Sequence, residues 1–319
     1  MRKALVIGAA GQIGTELTYR LSEELGTDNV IASDISELYF EDQPNIRTVI
    51  LDVLDFELLK STILDNDISE VYHLAATLSA NAEKNPGFSW HLNMQSLLNI
   101  LNLAKEGHIS KIFWPSSVAV FGTDTPKENT PQFTLMNPNT VYGISKSAGE
   151  NWCNYYYEKY GVDVRSLRFP GLLGYKSDPG GGTTDYALWA LKNSSNNLPY
   201  VSFLSRETTL PMMHMEDAID GIIQLMNVPN SDIKIRTSYN ISSVSFSPTE
   251  LEKEIQKTIP AFKISYEPDF RQSIADSWPH SIDDSLARND WNWNPKYNFE
   301  SLVKNIIEGF KKKVLIVTR

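Results

Sequence analysis

The chain has 319 residues, 41% of them hydrophobic, enough to bury one large α/β domain or one and a half. A formal net charge of −10 and a pI near 5.1 argue against nucleic acid or an anionic membrane as partner, since both need a basic surface. A single cysteine, Cys153, excludes an internal disulfide, and the five histidines show no metal-ligand spacing; the expectation is a cytoplasmic, metal-free protein that works on small molecules.

The opening "MRKALVIGAAGQIG" sets two cations before an apolar run, as a secretion signal does, but the run stops at Gln12. No stretch approaches the ~18 apolar residues that span a bilayer. "KALVIGAAGQIGTELTYRLSEEL" reads instead as strand, tight turn and helix, with Ile13, Leu17, Leu21 and Leu25 on one helical face. Further apolar runs follow at "NVIASD", "TVILDV", "EVYHLAA", "KIFWPSS" and "DVRSLRFP", separated by helix-like or polar segments. Strands alternating with helices imply parallel pairing and right-handed crossovers, hence an α/β fold with a doubly wound sheet of Rossmann type. Beyond residue 170 the alternation fades. "FSPTELEKEIQKTI" carries a capping box, with Ser247 as N-cap and Glu250 three residues on. "NFESLVKNIIEGFKK" reads as a final amphipathic helix, and "FKKKVLIVTR" as its solvated end with a small apolar tail.

Gly8, Gly11 and Gly14 form G-x-x-G-x-x-G between the first strand and its helix, with Gln12 and Ile13 inside the turn. Glycine admits close approach of a pyrophosphate, and the helix N-terminus supplies N–H donors and partial positive charge. Asp34 ends the next strand, where a carboxylate accepts ribose hydroxyls and repels a 2′-phosphate, favouring NAD over NADP; the other reading is that it caps the following turn. Asp52, with Val53 beside it, is a candidate for the adenine edge or an ordinary strand-end acid. Leu74, Ala75 and Ala76 end the strand "EVYHLAA" in residues small enough for a ribose to pass near the backbone, and His73 reads as a buried strand residue. The expected division is an NAD-binding domain over residues 1–170, with a segment of about 211–245 returning to it. Residues 171–210 and 246–319 then make a smaller C-terminal substrate-binding lobe.

"TVYGISKSAGE" puts Tyr142 and Lys146 at i and i+4 on one helix face. Both titrate near pH 10 in water; near each other and near a positive nicotinamide ring, the cations favour phenolate and make the tyrosine a base for an alcohol proton. "PSSVAVFG" offers Ser116 and Ser117 at a strand end to hold a developing alkoxide, with Ser117 the first choice.

This combination resembles the extended short-chain dehydrogenase/reductase family over nearly the whole chain. The resemblance implies that Ser117, Tyr142 and Lys146 form the active site and that Lys146 also contacts the nicotinamide ribose. It matches Asn93 to an asparagine on the central helix and Pro170 to a position beside the nicotinamide. Met94 and Gln95 depart from the small or β-branched residue and glycine that usually follow that asparagine. "PGGGTTDYA", "LPMMHMEDA" and "RQSIADSWPHSIDDSLARNDW" are further similar to the family's short-chain L-threonine 3-dehydrogenases, implying L-threonine as substrate and 2-amino-3-ketobutyrate as product. On that resemblance Thr183 and Thr184 present donors to the substrate carboxylate, or one caps the helix "TDYALWALK". Trp278 closes over the substrate, and Ser79 meets its ammonium or carboxylate. Arg206 and Arg271 are carboxylate partners or surface pairs, and the glycines at 180 to 182 form a hinge. Nucleotide-sugar epimerases and dehydratases share the catalytic set and are the alternative. The aromatic stretch "WCNYYYEKYG" supplies either a homodimer contact or core packing.

Overall fold

The first apolar run, β1 (Ala4–Ile7), is buried along its whole length. Ala4 and Val6 pack into one hydrophobic cluster, Leu5 and Ile7 into another on the opposite face, the period-2 alternation of a strand covered above and below. The computed structural model describes residues 2–41 and 43–317, with side chains placed through residue 313. Four buried strands repeat the pattern of β1, namely β2 (Val30–Asp34), β4 (Glu70–His73), β5 (Lys111–Ser117) and β6 (Val164–Phe169), while β3 (Arg47–Ile50) is a mostly exposed edge strand. Shorter strands follow: β7 (Gly171–Leu173), β8 (Tyr200–Ser202), β9 (Leu210–His214), β10 (Tyr239–Asn240), β11 (Val244–Phe246) and β12 (Ile264–Tyr266).

The central sheet runs β10-β6-β5-β4-β1-β2-β3, with every neighbouring pair parallel. The doubly wound α/β sheet is therefore present. Chain order reverses between β1 and β4, so the crossovers leave their carboxyl ends in opposite directions and open a crevice there. Of the stretch 211–245, β10 pairs with β6, whereas β9 lies between β7 and β11 in a separate three-stranded sheet; β8 and β12 pair with each other.

The helices are α1 (Gln12–Leu25), α2 (Phe56–Asp65), α3 (Ser79–Ala82), α4 (Pro86–Lys105), α5 (Val141–Tyr160), α6 (Asp185–Ser195), α7 (Met215–Asn227), α8 (Pro248–Gln256), α9 (Arg271–Ser277), α10 (Ser285–Trp291) and α11 (Phe299–Val317). Leu17 and Leu21 of α1 and Ala218 and Ile222 of α7 cover one face of the sheet. Leu59 of α2, Leu97 of α4 and Cys153 of α5 cover the other. A third cluster joins α6, α8, α9 and α11 through Tyr186, Leu251, Ile274 and Ile306.

Local chemistry sets the boundaries that matter for the site. The Thr140 hydroxyl accepts from Gly143 N at 3.0 Å and starts α5 two residues before Tyr142, and Gly161, at φ 70°, ends that helix. Ser247 and Glu250 form the expected capping box of α8. The run "TVILDV" leaves the sheet earlier than its composition suggests, because Asp52 turns the chain by accepting from Leu54 N at 2.9 Å. Residues 311–313 are exposed at the end of α11; the apolar tail expected beyond them lies outside the residues whose side chains are described.

Behind the end of β5 sits a fully buried ion pair. Glu150 of α5 accepts from Arg168 of β6 at 2.8 and 2.7 Å and from the Ser116 hydroxyl at 2.6 Å. Arg168 also donates to Gln132 O and Asn240 Oδ1, tying α5, β5, β6 and β10 together. Removing one member strands a buried charge, so Arg168→Ala is expected to cost about 3–5 kcal/mol. Urea denaturation measures it; a loss below about 1 kcal/mol, the scale of a surface pair, would show that the network does not hold the sheet edge.

Candidate active site

The glycine turn packs tightly against the end of β4. Gly8 has φ +85°, and a Cβ there would lie 2.7 Å from Ala75 N; a Cβ on Gly14 would lie 2.2 Å from Gly8 O. Only glycine at both positions lets α1 start this close to the sheet. Its first turn carries no acidic residue and no side-chain cap, leaving the donors and positive end of the helix for an anion. A cleft of about 650 Å³ lies beside this turn, lined by Gly8, Gly11, Asp34, Asp52, Val53, Leu74, Ala75 and Ala76 together with Ile35, Leu51 and Leu92. These residues suit a dinucleotide: an uncapped helix end for phosphates, a carboxylate at the end of β2, and apolar walls for a base. Asp34 lines the cleft, accepts from Ala10 N at 3.0 Å, and caps the following turn by accepting from Ser36 N at 3.4 Å. Gly14 lines no cleft and serves through packing.

A second cleft, of about 820 Å³, continues from the first, and Leu74 and Ala76 line both. Ser117, Tyr142 and Lys146 meet in its wall with Ser116, Pro170, Gln12 and Ile13. Lys146 is 3% exposed. Its ammonium donates to Pro115 O at 2.6 Å and lies 4.4 Å from the Trp114 ring centroid and 5.7 Å from that of Tyr142. Burial pushes the lysine down to about 7, although Cys153 and Glu150 oppose the shift. Burial pushes the Tyr142 phenol up to about 12, and the nearby Ser117 hydroxyl only partly offsets this. The pair by itself therefore leaves the phenol protonated, because both groups have lost their water. His73 is a buried strand residue, as expected; its Nε2 lies 2.9 Å from Ser96 Oγ, and burial lowers it to about 3.

Asn93 lines neither cleft. It accepts from Thr77 N at 2.9 Å and donates to Ser145 Oγ at 3.0 Å, fixing the loop after β4 against the helix of Tyr142 and Lys146. The Ser116 hydroxyl is taken by Glu150, whereas that of Ser117 accepts from Ala119 N at 3.2 Å.

Ser79, Thr183, Thr184 and Trp278 line the second cleft. The hydroxyls of Ser79 and Thr183 lie 3.3 Å apart. Thr184 occupies the N-cap position of α6, yet its hydroxyl caps nothing. Trp278, buried at the end of α9, has its carbonyl held by Lys127 Nζ at 3.0 Å. Arg206 and Arg271 line neither cleft: they pair with Glu207 and Asp269, and Arg271 stacks on Phe203 at 3.2 Å. Asp185 escaped the sequence reading. Its signal was its place directly after Thr183 and Thr184, three residues past a glycine.

A nucleotide cleft at the switch point of a parallel sheet, opening onto a Ser, Tyr and Lys cluster, defines a nicotinamide-dependent enzyme of the extended short-chain dehydrogenase/reductase class. The NAD dependent epimerase/dehydratase family matches residues 4–242. The chain belongs to that family, and its cofactor is NAD. It is 45% identical over 316 residues, 98% of both chains, to an uncharacterized epimerase/dehydratase of Staphylococcus aureus. The GalE-like L-threonine dehydrogenase from Cupriavidus necator, in its holo form, superposes with a TM-score of 0.95 at 47% identity, covering 97% of this chain and 100% of the other. A monomeric L-threonine 3-dehydrogenase from a metagenome database, in its apo form, gives 0.93 at 45% identity, covering 97% and 99%.

Gly14→Ala is expected to weaken NAD binding by ~30-fold or more, about 2 kcal/mol, because the added methyl collides with the turn. Asp34→Ala should lower the NAD-over-NADP preference by roughly tenfold. Fluorescence titration reads both, and unchanged discrimination in the second variant would remove Asp34 from cofactor selection.

Proposed function

We propose that the enzyme oxidises the secondary alcohol of L-threonine with NAD, giving 2-amino-3-ketobutyrate and NADH, a step of threonine catabolism. The observation that carries this reading is the charge inventory of the reactive cleft. Among the described residues Lys146 is its one cation, and no arginine lines it. A nucleotide sugar brings a diphosphate whose charges need paired cations; a small zwitterion needs none beyond hydroxyls, N–H groups and an acid. The wall supplies these in Ser79, Thr183, Thr184 and Asp185. The close likeness to threonine dehydrogenases along nearly the full chain supports the same choice.

In this reading Thr183 and Thr184 hold the carboxylate, Ser79 braces them, and Trp278 shuts out water. Ser117 donates to the alcohol oxygen and stabilises it as negative charge develops. Tyr142 takes the alcohol proton. Bound NAD supplies the ring that accepts hydride and, while oxidised, a positive charge near the phenol. Lys146 adds its own charge, and the two together bring a phenol that burial holds near 12 into working range. Asn93 keeps Lys146 and the β4 loop in register; Gln12, Ile13 and Pro170 border the nicotinamide. The glycines at 180 to 182 flex as the substrate enters. The nucleotide domain comprises residues 1–170 with about 211–245, and the substrate lobe residues 171–210 and 246–319.

Homodimerisation and a cytoplasmic site of action belong to the same proposal. Trp152, Tyr155 and Tyr160 stay 39%, 42% and 44% exposed along α5, and an aromatic helix face of this kind suits contact with a second copy. The lone cysteine is buried and free, and no helix among the described residues is long and apolar enough to cross a membrane.

Incubation with L-threonine and NAD should give NADH absorbance at 340 nm, with no turnover of UDP-glucose; the reverse result overturns the substrate. Tyr142→Phe should lower kcat by at least ~10³-fold while NAD affinity stays within a few-fold. Light scattering should return twice the chain mass, falling towards one chain in Trp152→Glu; a wild-type monomer would remove the dimer.

A further inference from the structure

The wall of the reactive cleft holds one carboxylate, Asp185. It opens α6 and is 6% exposed. Its Oδ2 accepts from Gly181 N at 2.7 Å and Gly182 N at 2.8 Å, which closes the glycine loop. Oδ1 has no hydrogen-bond or salt-bridge partner among the described residues. The nearest basic group that acts on it, Arg271, is bound to Asp269 at 2.6 Å and stacked on Phe203. Lys146, the other charge of the cleft, is held by Pro115 O and the Trp114 face. Burial raises the Asp185 carboxyl above its ordinary value, against the pull of the two glycine N–H groups.

A largely buried carboxylate whose second oxygen is unshared and open to the cleft favours a cation that joins it there. Among the described residues no cation bonds to it, and the carboxylate borders the reactive cleft. Closing a glycine loop needs only one acceptor oxygen, which an asparagine provides equally well. Negative charge is what an aspartate adds, and its match in a small zwitterion is the ammonium group. In the same cleft, the hydroxyls of Ser79 and Thr183 offer donors to the carboxylate end of the same molecule.

We propose that Asp185 receives the α-ammonium of the substrate, so that the cleft selects a 3-hydroxy amino acid over the corresponding hydroxy acid. This deepens the threonine reading and rests on it. Asp185 is a recognition residue; the proton and hydrogen transfers remain with Tyr142, Ser117 and the cofactor.

The test is calorimetric titration of the NADH-saturated protein with L-threonine and with (R)-3-hydroxybutanoate, which keeps the carboxylate and alcohol and lacks the ammonium. Wild type should bind L-threonine the more tightly. Asp185→Asn keeps the side chain's size and an oxygen for both glycine N–H groups and removes only the charge. It should weaken L-threonine by roughly 30-fold or more, leaving (R)-3-hydroxybutanoate within about threefold. Equal losses for both ligands would mean that Asp185 merely shapes the loop, and no loss for L-threonine would mean that it does not meet the ammonium; either overturns the proposal. Wild type that binds the hydroxy acid as well as the amino acid, or binds neither, overturns it even if the variant fails to fold. Activity separates the two readings: wild type inert towards L-threonine sinks the proposed substrate, whereas an active wild type with an unaffected variant sinks only the role of Asp185.

Discussion

The site depends on an ammonium kept almost wholly out of water. Lys146 is tolerated inside the protein because Pro115 O accepts a hydrogen bond from it, the Trp114 ring lies against its charge, and Glu150 sits one turn along the same helix. Tyr142, Lys146 and Glu150 follow one another at i, i+4 and i+8, so α5 turns a polar stripe towards the end of β5 where an ordinary helix turns an apolar one. Each member answers a group of the sheet: Tyr142 the Ser117 hydroxyl, Lys146 the Pro115 carbonyl, Glu150 Ser116 and Arg168. Burial moves the phenol and the ammonium in opposite directions, to about 12 and about 7. That raises the sensitivity of both to any charge that arrives, since the low local polarity that disfavours ionisation also strengthens every Coulomb interaction.

Topology places that stripe beside the nucleotide crevice. The order reversal between β1 and β4 opens the nucleotide crevice, and β5, next to β4, carries its serines to the same end of the sheet. Leu74 and Ala76 line both clefts, so the nucleotide and reaction spaces are continuous through the residues that end β4. Asn93 fixes this junction from behind, bonding to Thr77 on one side and Ser145 on the other. Its side chain is bonded on both sides, which accounts for its burial. The departure at Met94 and Gln95 leaves this bridge intact.

Within a family whose members share cofactor and fold, substrate class is written in the walls of the second cleft. Here those walls carry hydroxyls, glycines, one tryptophan, one acid and one lysine. The arginines that might have changed the reading point elsewhere, each neutralised by the acid nearest to it in sequence. A shared catalytic set and a different charge inventory are compatible because the two are built on different elements. The catalytic set belongs to β5 and α5, and the walls to the loop before α6 and the end of α9.

Most of the fold and the candidate catalytic set were legible in local pattern. β-branched runs alternating with amphipathic helices, glycines at a strand-to-helix turn, and a tyrosine four residues before a lysine each express a constraint satisfied by near neighbours in the chain. The sequence by itself determined the parallel sheet, the dinucleotide turn and the candidacy of Ser117, Tyr142 and Lys146. Tertiary structure decided what those groups do: that Ser116 is spent on Glu150, that β9 leaves the central sheet, that burial rather than the lysine governs the phenol, and that Asp185 faces the reactive cleft with an oxygen unshared. The reason is that desolvation and partner choice arise between segments tens to hundreds of residues apart, and neither leaves a period or a spacing for the sequence to display.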